Sequence, residues 1–142
     1  HIVNDLINYN YYLMEQEKAQ TATEEEVTIF DKIISGVIPA AVLFQDEQVM
    51  AFKDAFPVTP NHFLVIPKNR DGLTGISKAE DRHAALLGHM LVVGAKVAKE
   101  QGMVDGYRTV INEGVQGCQS VYHLHMHFIG GKQLTWPPGV GE

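Results

Sequence analysis

Between His123 and Phe128 the chain reads HLHMHF, three histidines alternating with three apolar residues. Strict alternation matches a strand, in which successive side chains point to opposite faces of a sheet. His123, His125 and His127 then share one face, and Leu124, Met126 and Phe128 take the other. The apolar face has to pack on a core, and the histidine face has to meet something polar. Neighbouring histidines on that face stand about 6.6 Å apart along the strand, and the outer pair about 13 Å. A metal holds its ligand nitrogens at about 2 Å. Two of the three converge on one ion; all three do so only if the strand distorts.

The pattern elsewhere predicts the elements around this strand. Thr28 and Asp31 form a capping-box pair for a short helix ending before Gly36. The runs AVLFQ (41–45), QVMAFKD (48–54) and HFLVIP (62–67) read as strands, the first two joined as a hairpin at Asp46-Glu47. Ser77 and Glu80 then match S-x-x-E, opening a long helix with the apolar stripe Leu86, Leu87, Met90, Val93 and Val97, stopped by Gly102. YRTVIN (107–112) and SVYHLHMHF (120–128) are the last two strands. Strands in runs, rather than in strict alternation with helices, predict an α+β fold on an antiparallel sheet. The tail GGKQLTWPPGVGE is too rich in glycine and proline for regular structure. Residues 1–27 read as an extension. Ile2, Val3, Leu6, Ile7, Leu13 and Met14 predict a helix over about 2–18, and Glu24-Glu25-Glu26 an acidic joint. Residues 28–142 are the compact domain.

Composition excludes several classes. With 142 residues, 45% of them hydrophobic and 20% charged, the chain suits one soluble domain. No apolar run approaches the roughly 18 residues of a membrane span. A net charge of −6 argues against a nucleic-acid surface, which needs an excess of Lys and Arg. It is compatible with one nucleotide, whose phosphate needs only local donors. Cys118 is the single cysteine, so no intrachain disulfide forms and a reducing compartment is expected: cytoplasmic, with the nucleus compatible. The chain opens on His1, and its visible start lacks the Arg-rich, acid-poor character of a transit peptide.

Three readings of the histidine face stand on the residues alone. A metal site would take two of the histidines and a third ligand such as His62. A phosphate site would use imidazole as nucleophile and donor beside the loop NEGVQGCQS (112–120). In the third reading the histidines only satisfy core carbonyls.

HLHMHFIGG matches the histidine triad pattern, and TIFDKIISGVIPA, NHFLVIPK, VINEG, QSVYHLHMHFIGGKQ and WPPG follow in the order of the same family. The chain resembles the histidine triad nucleotide-binding proteins, also known as nucleoside phosphoramidases or protein kinase C-interacting proteins. The resemblance covers residues 28–139. A histidine at 127, where the uridylyltransferase branch has glutamine, and the QLTWPPG segment point to the phosphoramidase branch.

The resemblance implies a HIT-like fold and a two-fold homodimer in which each tail, with Trp136, reaches the partner's site. It implies hydrolysis of P–N bonds in purine nucleoside 5′-phosphoramidates and of acyl-adenylates, without metal or cofactor. His125 is the nucleophile, and His127 donates to phosphate oxygens or the leaving group. His62 contacts phosphate or leaving amine, and His123 is a buried support. Ser120 bonds the phosphate side and Asn112 the ribose-phosphate region. Backbone N–H groups of 117–121, including Cys118 and Val121, cradle charge. Asp54 takes the ribose hydroxyls, and Phe30, Ile38 and Leu64 enclose the purine. Two departures stand out. Cys118 occupies a position where many relatives have glycine, and Ala55-Phe56 follows Asp54 in place of the commoner pair. His83 and His89 lie outside any motif and are expected to be structural or exposed. A nucleotide-binding adaptor without purposeful turnover is the alternative.

Overall fold

β2 (Val49–Lys53) and β3 (Asn61–Pro67) form the middle of the molecule, and nearly every residue of both is buried. The computed structural model describes residues 2–24 and 26–139. Around the central pair, β1 (Val42–Gln45), β4 (Tyr107–Val110) and β5 (Met126–Gly130) complete one antiparallel sheet in the order β1-β2-β3-β5-β4. The hairpin at Asp46 is present: its Oδ1 accepts the N–H groups of Gln48 and Val49, both at 2.8 Å.

Burial on both sheet faces explains the unbroken apolar runs of the middle strands. One face carries Val49, Ala51, Phe63, Val65, Met126 and Phe128 against Met90, Val93 and Val97 of helix α3 (Ala84–Glu100). The other carries Met50, Phe52, Leu64 and Ile66 against Phe30 of helix α2 (Ile29–Ile34). Thr28 caps α2 as predicted: Asp31 N–H donates to Thr28 Oγ1 at 3.4 Å and Thr28 N–H to Asp31 Oδ2 at 2.8 Å. Gly36 follows at φ +80° and Gly102, after α3, at φ +80°, the left-handed stop that lacks a Cβ penalty.

Three boundaries differ from expectation. The long helix begins at Ala84, with His83 at its N-cap position; 3₁₀ turns at Ile76–Lys78 and Asp81–His83 fill the interval, the second of them capped by Glu80 through a reciprocal pair with His83. The last strand begins at Met126 instead of 120, since residues 120–125 have no strand partner. The N-terminal helix α1 runs from Ile2 to Thr21, longer than predicted, and its expected apolar stripe is not a core face. Ile2, Val3, Leu6 and Met14 are more than half exposed, and the side chain of Ile7 lies outside the described residues. Among the described residues no helix is long and apolar enough to cross a membrane.

Gly94 lets α3 approach β5, and a Cβ there would overlap the Phe128 ring. Helix propensity alone favours alanine over glycine by about 1 kcal/mol, while overpacking a core costs about 1–3 kcal/mol. Gly94→Ala is therefore expected to destabilise the fold on balance, measured as a lower urea midpoint. An unchanged or raised midpoint would refute the close packing.

Candidate active site

The β3–β5 register builds the histidine cluster. Leu64 pairs with His127 and His62 with Ile129, so His62 and His127 are diagonal neighbours on one sheet face. Their rings meet with His62 Nε2 3.0 Å from His127 Nδ1. Just before β5, Leu124 lies in the α3-side core while His123 and His125 turn to the α2 side. Phe30 packs edge-on against both rings, at centroid distances of 5.7 and 5.0 Å.

Each ring's tautomer follows from its partners. His125 Nδ1 lies 2.7 Å from the carbonyl of His123, which only accepts, so Nδ1 carries the proton and Nε2 keeps its lone pair. His62 Nδ1 accepts from Val58 N–H at 3.2 Å, so its proton sits on Nε2 and is donated to His127 Nδ1. His127 is left with an N–H at Nε2. His123 donates from Nε2 to the Pro67 carbonyl at 2.8 Å. Its Nδ1, 3.7 Å from Asp31 Oδ1, has no hydrogen-bond partner, because two acceptors face each other.

Burial holds all four rings neutral at pH 7. It lowers His123 to about 4, against the hydrogen bond to Pro67 and the charge of Asp31. It lowers His127 to about 3, reinforced by His125 and His62. Burial also depresses His125 and His62, with Asp54 opposing in both cases.

Two adjoining cavities meet at this cluster. One, of about 260 Å³, is walled by Phe30, Ile33, Phe52, Leu64 and Val121; the other, of about 210 Å³, by Val58, Asn112, Cys118 and Ile129. Asp54, Ser120, His125 and His127 line both. A wider cavity of about 570 Å³, between 102–108 and 131–134, holds no histidine and is set aside.

Most of the predicted site residues thus converge, with corrections. Ile38 lines neither cavity; its N–H donates to Lys32 O and its place is taken by Ile33 and Phe52. The i, i+3 spacing of Phe30 and Ile33 and the alternation of β2 were the signals for these two. His62 lines the smaller cavity, and both of its ring nitrogens have protein partners, Val58 N–H and His127 Nδ1. His123 lines neither cavity and contributes through its carbonyl. Of the amides of 117–121, those of Cys118 and Gln119 donate inside the loop, to Val115 O and Gly114 O, and Ser120 and Val121 are residues that line the cavities. Gln119, 1% exposed and unforeseen, ties the loop by bonds to Gly114 N–H, Thr74 O and Val121 O. Cys118 sits at φ +59°, which explains why glycine suits this position. Trp136 is 83% exposed and lines neither cavity of its own chain. His83 and His89 are structural, paired with Asp71 at 3.0 Å and Asp46 at 2.6 Å.

A family model described as HIT domain matches residues 35–134. The chain is 57% identical over 126 residues to a protein of Arabidopsis thaliana named adenylylsulfatase HINT1, covering 88% of this chain and 86% of that one. It is 54% identical over 125 residues to the 14 kDa zinc-binding protein of Zea mays, covering 88% of this chain and 98% of that one. The crystal structure of a HIT family hydrolase from Legionella pneumophila is similar at TM-score 0.76 and 42% identity, over 80% of this chain and 100% of that chain.

The neutral rings set a pH dependence of stability. The unfolded chain takes up protons near 6.5, whereas folded His123 and His127 wait until about 4 and about 3. Below pH 6.5 the unfolded state binds more protons, so the stability these groups contribute is whole above 6.5 and lost as pH falls toward those values. Each is expected to remove on the order of 2–3 kcal/mol between pH 7 and pH 4.5. Urea titrations should show a shallower slope for His123→Gln than for the wild type, and parallel slopes would contradict the assignment.

Proposed function

The chain belongs to the HIT domain family, and on that premise we propose that it hydrolyses purine nucleoside 5′-phosphoramidates and acyl-adenylates through a nucleotidyl-histidine at His125. The observation that carries this reading is the hydrogen bond from His125 Nδ1 to the His123 carbonyl, which leaves Nε2 unprotonated beside Ser120 and His127. Imidazole is nucleophilic when neutral and leaves readily when water attacks in a second step.

His125 Nε2 attacks the phosphorus and the P–N bond breaks. The amine departs with a proton delivered through the Ser120 hydroxyl. His127 Nε2–H donates to a phosphoryl oxygen as its negative charge grows, and the N–H groups of Ser120 and Val121 assist. Water then attacks the nucleotidyl-His125, gives its hydroxyl to phosphorus, and returns the proton that the amine removed. Asp54 takes the ribose hydroxyls, and the apolar cavity between Phe30 and Leu64 takes the base. The name of the Arabidopsis relative supports attack at the same phosphorus with sulfate as the leaving group. A two-fold dimer belongs to the same reading, supported by the open edge of β4 and the exposed Leu91 and Val92 on α3. An adaptor that only held nucleotide would not need an unprotonated His125 Nε2 aimed at the cavity.

A zinc site is the second reading, favoured by Asp54, His62 and His127 offering ligand atoms within 4.8 Å of one another and by the name of the maize relative. The geometry fits it less well. Two tetrahedral zinc ligands at about 2.05 Å stand about 3.3 Å apart, whereas His62 Nε2 and His127 Nδ1 are 3.0 Å apart with a proton between them.

His125→Ala is expected to lose on the order of 10⁴-fold in kcat on adenosine 5′-phosphoramidate and on adenylyl sulfate, while still binding AMP. A variant with near-normal turnover would end the covalent mechanism. Wild-type activity is expected to survive excess EDTA; loss reversed by Zn²⁺ would move the chemistry to the metal reading.

A further inference from the structure

Helix α1, which lies ahead of the family match, brings to the site a charge that the proposed reaction does not use. Glu15 Oε2 accepts a hydrogen bond from Ser120 Oγ at 2.8 Å, and Glu15 lines both cavities. Its other oxygen pairs with Lys18 Nζ at 3.2 Å, and Lys18 lines the apolar cavity. To Ser120, a carboxylate presents what a phosphoryl group presents: oxygen acceptors bearing negative charge. Both cannot occupy the position together, since like charges a few ångströms apart in a partly buried site repel strongly.

Among the described side chains, helix α1 is lightly held. Ala19 is fully buried, and the segment after the helix is tied by Thr74 to Glu24 at 3.3 Å and by Arg70 to the Glu26 carbonyl. The apolar side chains toward the other end, Ile2, Val3 and Leu6, remain exposed. Among the described side chains, lifting the middle of α1 therefore uncovers little that was dry.

We propose that Glu15 is a specificity-determining carboxylate: it fills the anion position beside Ser120 and His125 and admits a nucleotide's phosphate only when α1 moves it away. The proposal rests on the nucleotide reading above and adds a regulation of that site. A ligand without phosphate meets the apolar cavity and Asp54 and leaves Glu15 in place. A phosphate-bearing ligand competes with Glu15, so its affinity carries the cost of displacing the helix. By reciprocity the bound phosphate loosens α1 by the same factor.

The test uses the full chain. AMP and adenosine binding are measured by calorimetry on the wild type and on Glu15→Gln, which keeps the shape and removes the charge. AMP is expected to bind the variant about tenfold more tightly, and adenosine equally to both proteins within twofold. In the wild type, AMP is expected to speed amide hydrogen exchange in residues 10–20, and adenosine is not. Equal AMP affinity in the two proteins, weaker AMP binding by the variant, or equal gains for AMP and adenosine would each overturn the proposal. The first two leave the nucleotide reading standing. If neither protein binds AMP or adenosine, the nucleotide reading itself fails and takes the proposal with it.

Discussion

The antiparallel register between β3 and β5 is the constraint on which the rest of the site depends. With Leu64 opposite His127, His62 falls on the same face two residues away, at a diagonal Cβ separation of about 7–8 Å. Two imidazoles span that gap, and their hydrogen bond, with Val58 N–H donating to His62 Nδ1, assigns the protons on both rings. A slip of one residue would turn His127 toward α3 and put Phe128 into the polar site. The packing of Phe128 against Phe63, with ring centroids 4.9 Å apart, and against Gly94 resists that slip. Core and catalytic geometry are thus two consequences of one pairing.

Burial then decides the chemistry. An exposed histidine is partly protonated near neutrality and a poor nucleophile when charged. Here the α2-side core around Phe30 dehydrates His123 and His125, and desolvation outweighs the nearby carboxylates that favour the charged forms. His125 stays neutral because the sheet face is dry, while Asp54 and Ser120 keep one side of it polar. The same dryness leaves His123 Nδ1 without a partner opposite Asp31.

The N-terminal helix changes what the site meets first. The domain by itself presents a Ser120 hydroxyl to a ligand; with α1 in place, that hydroxyl already has an acceptor in Glu15. An appendage can act in this way because it places one charged acceptor against a hydroxyl in a partly buried site.

Much of this was legible locally. The alternation at 123–128 announced a two-faced strand, Thr28 and Asp31 marked the start of α2, and the spaced apolar residues of 86–97 marked the covering helix. The resemblance of five ordered segments pointed to the family. Other features could not be read along the chain. Ser77 and Glu80 look like a cap for the long helix, but Ser77 N–H donates to Glu113, far away in sequence, and Glu80 caps a separate 3₁₀ turn. Ile38 and Ile33 are equally apolar, and only the packing of α2 on the sheet chose Ile33 for the cavity. Gln119 and Glu15 carry no local signal, because their partners come from distant segments. The sequence by itself determined which residues alternate, where helices stop and which side chains are candidates for the chemistry, since these follow from backbone sterics and side-chain type. The tertiary structure alone decided which ring nitrogen holds each proton, how dry His125 is, and that Glu15 sits on Ser120, because those depend on contacts between parts of the chain far apart in sequence.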